Sequence, residues 1–308
     1  MGPPPGVAGP PDHAASQDRE QPSNRGPGRP RVALTIAGSD SGGGAGIAAD
    51  LKTFVALGVH GTLALAGLTA QDTCEVSAVH PVRPGFVWDQ IAAVAGDLGV
   101  DAAKTGMLGN ERTVRVVAKA VESFGIRRLV VDPVLAATTG RRLLAPRAVS
   151  VLVAQLLPLA TLVTPNLDEA GLLLGRTVAT LPDMREAAVQ LHELGAGAAL
   201  VTGGHLEGDP VDVFYDGTEL VELPATRLTS GATHGSGCTL SAAVTARLAA
   251  GVPLREAVED AKAFVTESIR HGLALGRGEG PVDPCWGLDR AGIGRTGIGW
   301  ARISGLPG

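Results

Sequence analysis

The chain contains few residues of several kinds, and each scarcity excludes a class of protein. Only three of its 308 residues are cysteines, namely Cys74, Cys238 and Cys285. Three widely spaced cysteines form neither a disulfide framework nor a zinc site, and they are typical of a protein from a reducing compartment. Aromatic residues make up only 3% of the sequence, so the stacking surfaces of a single-strand nucleic-acid binder are not expected.

Long apolar runs and an excess of positive charge are also missing. No apolar stretch reaches the length of a membrane span, and no charged-then-apolar signal opens the chain. The formal net charge of −5 gives no basic surface for nucleic acid or anionic lipid. Lysine is rare among the 26 basic residues, and its positions are Lys52, Lys104, Lys119 and Lys262. We therefore expect a cytoplasmic protein that binds neither nucleic acid nor membrane.

The sequence does contain enough apolar material for one large core, since hydrophobic residues make up 44% of it. Residues 1–30 are rich in proline, glycine and polar residues without periodicity, which predicts a disordered leader. We expect one domain over residues 31–288, followed by a flexible tail over residues 289–308. A chain that begins at Arg31 is therefore expected to fold normally.

Short apolar runs between turn residues predict the strands of a buried parallel sheet. The clearest runs are residues 32–36, 62–68, 129–131, 162–163 and 198–201. Helical patterns alternate with them, for example over residues 87–98 and 184–194. This alternation predicts an α/β fold with a mostly parallel central sheet flanked by helices. Asp216-Gly217 between two strand patterns predicts a late antiparallel hairpin.

Residues 231–240, GATHGSGCTL, bring glycines, a hydroxyl and a thiol to the start of a predicted helix. Backbone N–H groups around Gly235, Ser236 and Gly237 can converge there on an anion, which the helix dipole favours further. The same position should stabilise the thiolate of Cys238, so its pKa is expected below the free value of about 8.5. The pattern is suited to phosphoryl transfer, although a glycine-rich turn with a buried thiol fits as well.

Other predicted strands also end in small or polar residues, where α/β sheets bind their ligands. Residues 37–46, AGSDSGGGAG, match neither the Walker nor the dinucleotide motif. They either close over a small ligand or form a flexible surface loop. Asp50 or Lys52 can face this loop from the next helix, or both can be solvated. Gln71 ends the second strand, where its amide can read the edge of a heteroaromatic ring or lie in a plain polar turn.

Later strand ends add an apolar wall and two carboxylates. Met107 can wall a flat ligand or belong to the core. Asp132 directly follows the run 129–131, a common position for a metal or phosphate site. Asn166 and Glu169 lie three residues apart at a predicted helix start, where they form a capping box that can coexist with a functional role.

Taken in order, these segments resemble the ribokinase superfamily and, more narrowly, the bacterial hydroxymethylpyrimidine/phosphomethylpyrimidine kinases of thiamine biosynthesis. The resemblance extends over about residues 32–288. Its motifs are residues 37–47, 46–52, 69–71, 104–108, 132–134, 164–166 with Glu169, 203–205 and 234–238. It implies a ribokinase-like fold.

The resemblance also implies a role for each site residue. Gln71 would recognise the aminopyrimidine edge, and the ring would be enclosed by Gly38, Ala45, Met107 and Val134, with Asp50 near the substrate side. The anion hole would be formed by Gly235, Ser236, Gly237 and Cys238, with Cys238 as base or proton relay. Mg²⁺ and the ATP phosphates would be held by Asp132 and Glu169, and the nucleotide would be contacted by Asn166, Thr202 and Gly204.

The implied activity is the ATP- and Mg²⁺-dependent phosphorylation of 4-amino-5-hydroxymethyl-2-methylpyrimidine, and then of its monophosphate, by a homodimer. Two positions depart from the family pattern. Thr202 stands where many members carry lysine, and Arg141 after Thr138-Thr139-Gly140 stands where an acidic residue is common. A pyridoxal kinase of the same branch and a non-catalytic sensor of the pyrimidine phosphate stay open as alternatives.

Overall fold

The computed structural model describes residues 29–136 and 143–288. Nearly all of the predicted leader, the whole predicted tail and the segment with Arg141 lie outside the described residues. Within the described part, nine strands form a single sheet in the order β3-β2-β1-β4-β5-β6-β7-β8-β9.

The sheet is parallel at its centre and antiparallel at both edges. The strands are β1 (Val32–Gly38), β2 (His60–Gln71), β3 (Val76–Pro81), β4 (Ala102–Thr105), β5 (Leu129–Val131), β6 (Leu162–Val163), β7 (Ala199–Val201), β8 (Val211–Tyr215) and β9 (Leu220–Pro224). Strands β2, β1, β4, β5, β6 and β7 run parallel to one another. Strands β3, β8 and β9 pair antiparallel with their neighbours, so the predicted α/β fold with its late hairpin is confirmed.

Helices cover both faces of the sheet. They are α1 (Gly46–Ala56), α2 (Pro84–Asp97), α3 (Glu111–Ser123), α4 (Pro146–Val151), α5 (Leu167–Leu174), α6 (Leu181–Glu193), α7 (Ser236–Ala249) and α8 (Leu254–Arg270). A π-helical turn, Leu152–Leu156, and a 3-10 turn, Leu157–Leu159, follow α4. None of the helices in the described ranges has the length and apolar character that a membrane span requires.

Successive side chains of the central strands point into two different cores, as expected for strands with period two. Leu34 and Ile36 of β1 pack with α2 to α6, whereas Ala33 of β1 packs with α1, α7 and α8. Thr35 and Lys104 are in-register neighbours on β1 and β4, and they share the face of Ala33. Two polar side chains thus lie between the sheet and the helices α1 and α7.

Glycines follow the ends of two helices. Gly195 follows α6 with φ 110°, and Gly251 follows α7 with φ 90°, a region that favours glycine. Among the described strands, β3 was not predicted from the sequence. Of its residues only Val76 is buried, so the strand carries almost no apolar signal.

Candidate active site

The glycine-rich loop between β1 and α1 is organised by the carboxylate of Asp40. Oδ1 accepts a hydrogen bond from the N–H of Gly42 at 2.8 Å. Oδ2 accepts from Gly44 at 3.0 Å and from Ala45 at 2.8 Å. The loop is therefore built around a buried acceptor, unlike the flexible surface loop that the sequence left open.

His234 connects this loop to the segment before α7. Its Nε2 lies 2.9 Å from Oδ2 of Asp40, and its backbone N–H donates to the carbonyl oxygen of Gly280 at 3.1 Å. Burial opposes ionisation of Asp40, but the hydrogen bonds from His234 and from the loop N–H groups hold the pKa of this carboxyl below its usual value. The pair fixes two loops relative to each other.

The same two loops meet backbone to backbone at Gly44 and Gly235. Gly235 has φ 81°, and a Cβ on it would overlap the carbonyl oxygen of Gly44. A Cβ on Gly44 would in turn overlap the ring of His234. Glycine is required at both positions because any side chain would separate the loops.

The first turn of α7 offers unpaired backbone donors. In the described residues no side chain caps this helix, while the N–H of Ser236 already donates to Thr233 at 3.1 Å. The N–H groups of Gly237 and Cys238 remain for an external anion, which the helix dipole favours. The two donors lie at an exposed and a half-buried residue respectively, and their role as an anion hole stays a prediction.

Cys238 differs from the prediction in its ionisation. Burial raises the pKa of its thiol to about 12, even though the charge of Lys104 and a hydrogen bond from the N–H of Gly46 act in the opposite direction. The nearby carboxylates of Asp132 and Asp50 add to the increase. The expectation of a lowered pKa was wrong, because desolvation and two anions outweigh the helix start and one ammonium group.

Beneath Cys238 lies a buried ion pair between Lys104 and Asp50. Both side chains are 0% exposed, and Nζ of Lys104 is 2.7 Å from Oδ1 of Asp50. Oδ2 of Asp50 accepts the hydroxyl of Thr35 at 2.6 Å. Asp50 therefore cannot contact a ligand directly, which corrects the expectation that it lies at the substrate side. Lys104 was not predicted as a site residue, although a lysine in a short apolar strand requires a buried partner.

Asp132 directly follows β5, and Glu169 lies in the first turn of α5, close enough for the charge of Asp132 to act on it. Oδ2 of Asp132 accepts from the hydroxyl of Ser241 at 2.9 Å. Burial, with the charge of Asp132 as a second cause, raises the pKa of Glu169 to about 8. Asn166 and Glu169 also form the predicted capping box, with hydrogen bonds of 2.9 and 3.0 Å, so both readings of Glu169 are compatible.

The two carboxylates fit a magnesium ion. Mg²⁺ is held by one or two carboxylates and keeps its other positions for water and phosphate oxygens. The described residues contain no cluster of three or more histidine, cysteine or acidic side chains that could enclose a metal. Two neighbouring buried carboxylates, of which Asp132 raises the pKa of Glu169, are a donor set that such a partly open site can use.

Gln71 lies half-buried at the end of β2, with its amide oriented by neighbours. Its Oε1 accepts from the hydroxyl of Thr69 at 3.2 Å, and its backbone exchanges two hydrogen bonds of 2.7 Å with Ser41. Met107 lies across Gly38, since a Cβ on Gly38 would overlap the methyl group of Met107. Ala45, the N-cap of α1, and Val134, three residues after β5, are both half-buried.

The remaining predicted residues follow β6 and β7. The N–H of Thr202 donates to Pro165 at 2.9 Å, and Thr202 forms a bridge with Asn166. Gly204 is exposed, and its carbonyl oxygen accepts from Arg227 at 3.1 Å. Thr202, Asn166 and Gly204 thus lie beyond the carboxyl ends of the parallel strands, as the two carboxylates do.

A profile described as Phosphomethylpyrimidine kinase matches residues 40–283, which is most of the chain and contains every residue of the site except Gly38. The chain belongs to the phosphomethylpyrimidine kinase family. Among members of this family, the hydroxymethylpyrimidine/phosphomethylpyrimidine kinase of Rhizobium meliloti is 51% identical, over 82% of this chain and 96% of the relative.

Two further comparisons extend this result. The thiamine biosynthesis bifunctional protein ThiED of Geobacter sulfurreducens is 50% identical over 81% of this chain, which spans about half of that longer protein, 51%. An ADP complex of Bacillus subtilis pyridoxal kinase has a TM-score of 0.79 at 41% identity and covers 83% of this chain and 98% of its own. The phosphomethylpyrimidine kinase family thus shares its fold with a nucleotide-binding pyridoxal kinase.

Proposed function

We propose that the chain phosphorylates 4-amino-5-hydroxymethyl-2-methylpyrimidine and then its monophosphate, with ATP as phosphoryl donor, in thiamine diphosphate biosynthesis. The observation that carries this proposal is the family membership together with the uncapped first turn of α7 beside two buried carboxylates. Such a turn receives a phosphoryl group, and the carboxylates supply the ligands of its counter-ion.

The substrate ring lies, in this proposal, between the glycine-rich loop and the end of β2. The amide of Gln71 hydrogen-bonds the aminopyrimidine edge, because its Oε1 is already oriented by Thr69. The apolar enclosure is provided by Gly38, Ala45, Met107 and Val134. The hydrogen bond between Asp40 and His234 holds the glycine-rich loop, and with it this apolar enclosure, next to α7.

The nucleotide side is formed by Asn166, Thr202 and Gly204, with Asp132 and Glu169 as the residues that hold Mg²⁺. The ion, when bound, neutralises charge on the phosphate oxygens and orients them. The backbone N–H groups of Gly237 and Cys238 hold the oxygens of the transferred group as negative charge develops. Thr202 supplies no positive charge at this position. The N–H groups of Gly237 and Cys238 therefore contribute more to stabilising the negative charge on the transferred phosphoryl group.

Because the thiol of Cys238 is neutral near pH 7, we propose that it relays a proton and is not a preformed thiolate. The substrate oxygen forms its bond to the γ-phosphorus as the bond from phosphorus to the departing ADP oxygen breaks. The hydroxyl proton passes to sulfur, and the proton already on sulfur passes to an oxygen of the transferred phosphoryl group. The thiol is thereby restored.

The test is a coupled assay of ADP release with the hydroxymethylpyrimidine, its monophosphate and pyridoxal side by side. Turnover of both pyrimidines with kcat/KM at least tenfold above that of pyridoxal supports the proposal. Pyridoxal is a second candidate because a pyridoxal kinase is 41% identical to this chain, and preferential turnover of pyridoxal would replace the proposed substrate. Binding without any turnover would favour the sensor.

The assembly and location follow from the same family resemblance. We propose a homodimer in the cytoplasm. Light scattering should then give twice the chain mass of 31.1 kDa.

A further inference from the structure

Lys104 joins four secondary-structure elements at a point that solvent does not reach. It projects from β4, and its Nζ lies 2.7 Å from Oδ1 of Asp50 in α1. The same Nζ lies 3.4 Å from the carbonyl oxygen of Cys238 in α7 and 3.7 Å from Oδ2 of Asp132 after β5. An ammonium group has three N–H donors that point in different directions, so Lys104 donates to both Asp50 and the carbonyl oxygen of Cys238. At 3.7 Å the carboxylate of Asp132 is held by charge attraction rather than by a hydrogen bond.

The partner in α1 explains why the fold tolerates the charge. Asp50 balances Lys104, and burial of both is complete. Although burial alone would lower it, the carboxylates hold the pKa of Lys104 above its ordinary value. A buried ion pair nevertheless adds little stability over an uncharged pair of the same volume. The pair with Asp50 therefore gives no reason for a charge at this point of the sheet.

The other two contacts of Lys104 are with groups of the candidate site, Cys238 and Asp132. The carbonyl oxygen of Cys238 belongs to the uncapped first turn of α7, and Asp132 is one of the two carboxylates. Ser241, three residues further along α7, donates to Oδ2 of the same Asp132 at 2.9 Å. Helix α7 and the end of β5 are thus tied together by Lys104 and by Ser241, on the side away from solvent.

We propose that Lys104 is a positioning residue for phosphoryl transfer: its ammonium group fixes the first turn of α7 relative to Asp132 and so sets where the transferred group is held. Lys104 acts through Cys238 and Asp132 and does not touch substrate. The inference rests on the proposed function, because the geometry that Lys104 fixes is the geometry of that reaction.

The test compares two variants that treat the ion pair differently. Lys104→Met/Asp50→Asn removes both charges with nearly the same volume, so neither member of this ion pair is left unpaired. Asp132 loses the nearby charge of Lys104 but keeps its hydrogen bond from Ser241. Asp50→Asn alone keeps the ammonium group. Cooperative thermal unfolding establishes that each variant folds, and calorimetry with ADP measures ground-state nucleotide binding.

We expect the double variant to fold and to bind ADP within about threefold of the wild type. Its kcat should fall on the order of 100-fold, while KM for ATP and for the pyrimidine changes little, as expected when reacting groups are displaced by a fraction of an ångström to an ångström. Asp50→Asn should retain a kcat at least tenfold above that of the double variant, because the ammonium group is still there.

Three outcomes would overturn this role. A double variant with wild-type kcat shows that Lys104 only balances Asp50. A double variant that does not unfold cooperatively shows that Lys104 serves the fold itself, and a loss of ADP affinity parallel to the loss of kcat shows a general distortion. A wild-type protein that turns over none of the substrates instead refutes the proposed function, and this inference with it.

Discussion

Nε2 of His234 lies 2.9 Å from Oδ2 of Asp40, although the two residues are 194 positions apart in the sequence. The histidine belongs to the segment before α7, and the aspartate organises the glycine-rich loop after β1. In the proposed reaction one loop encloses the acceptor and the other holds the phosphoryl group. A single hydrogen bond therefore links the positions of both reactants.

His234→Ala should lower kcat/KM for the pyrimidine by roughly 10- to 100-fold, because a partly buried hydrogen bond to a charged carboxylate contributes about 1.5–3 kcal/mol. His234→Gln is the matched variant, since its side-chain amide can still donate to Asp40. It should retain more activity than His234→Ala. Equal steady-state kinetics of the two variants would show that the hydrogen bond does not matter.

Gln71→Ala should raise KM for the pyrimidine about 10- to 100-fold and leave KM for ATP unchanged, since the ring would lose its hydrogen-bonding partner. Gln71→Glu keeps an oxygen that accepts from Thr69 but loses the NH₂ donor. It separates donation to the ring from orientation of the loop. An unchanged KM for the pyrimidine in Gln71→Ala would remove this residue from substrate recognition.

Cys238→Ala should lower kcat for the hydroxymethylpyrimidine by about 10²–10⁴-fold, the usual contribution of a proton-transferring group. The effect on the monophosphate should be smaller, because a phosphate acceptor is largely ionised above its second pKa of about 6 and has no hydroxyl proton to lose. Cys238→Ser and Cys238→Asp place an oxygen that can carry a proton where the sulfur was. Both should therefore retain more activity than Cys238→Ala. Near-normal turnover of both substrates by Cys238→Ala would exclude the relay.

The raised pKa of Cys238 also predicts its reactivity. Because a thiol with a pKa of about 12 is almost entirely protonated at pH 7, alkylation of Cys238 should be slow. The exposed Cys74 serves as an internal reference and should be modified first. Mass spectrometry of peptides after brief iodoacetamide treatment gives the order, and faster labelling of Cys238 would restore the thiolate hypothesis.

Glu169 should make stability depend on pH in a defined direction. Its pKa is raised from 4.5 to about 8, so the folded state holds a proton that the unfolded state has lost between these values. Stability relative to Glu169→Gln should therefore fall as pH rises from about 4.5 to about 8 and level off above it. Denaturant unfolding at several pH values, without and with Mg²⁺, measures this difference.

Mg²⁺ should counteract the loss of folding stability at high pH, because it binds the ionised carboxylate of Glu169. It should therefore stabilise the folded state more at pH 8 than at pH 6. In Glu169→Gln the stabilisation by Mg²⁺ should be smaller at every pH. The glutamine can still cap α5, so a general loss of stability is not expected. An equal effect of Mg²⁺ on both proteins would place the ion elsewhere.

The central strands could be predicted because each is short, apolar on both faces and bounded by turns, as in residues 129–131 and 162–163. The edge strand β3 could not, since only Val76 is buried and its signal is mostly polar. The order of the strands is a long-range property: β1 lies between β2 and β4, which no local pattern encodes.

The candidate site likewise has features that the sequence could predict and others that it could not. The placement of Gln71 and Asp132 at the ends of β2 and β5 could be predicted from the apolar runs before them, whereas their roles stay predictions. The partners that hold the site together were not, because Lys104 finds Asp50 across 54 positions and Cys238 loses its expected ionisation through burial that the sequence does not show. One signal was available for Lys104, as a lysine directly follows Ala102 and Ala103 in an apolar run.

Arginine supplies all but four of the 26 basic residues of this chain, yet a lysine, Lys104, stands where three oxygens of the core lie within 3.7 Å of one Nζ. A guanidinium is planar and larger, and its five donors form a fork in one plane. It cannot address Asp50, Asp132 and the carbonyl oxygen of Cys238 from a strand that is covered by α7. Arginine is therefore not equivalent to lysine at position 104, although the rest of the chain uses arginine for most of its positive charges. Replacing Lys104 by arginine would require the strand and the helices around it to move apart.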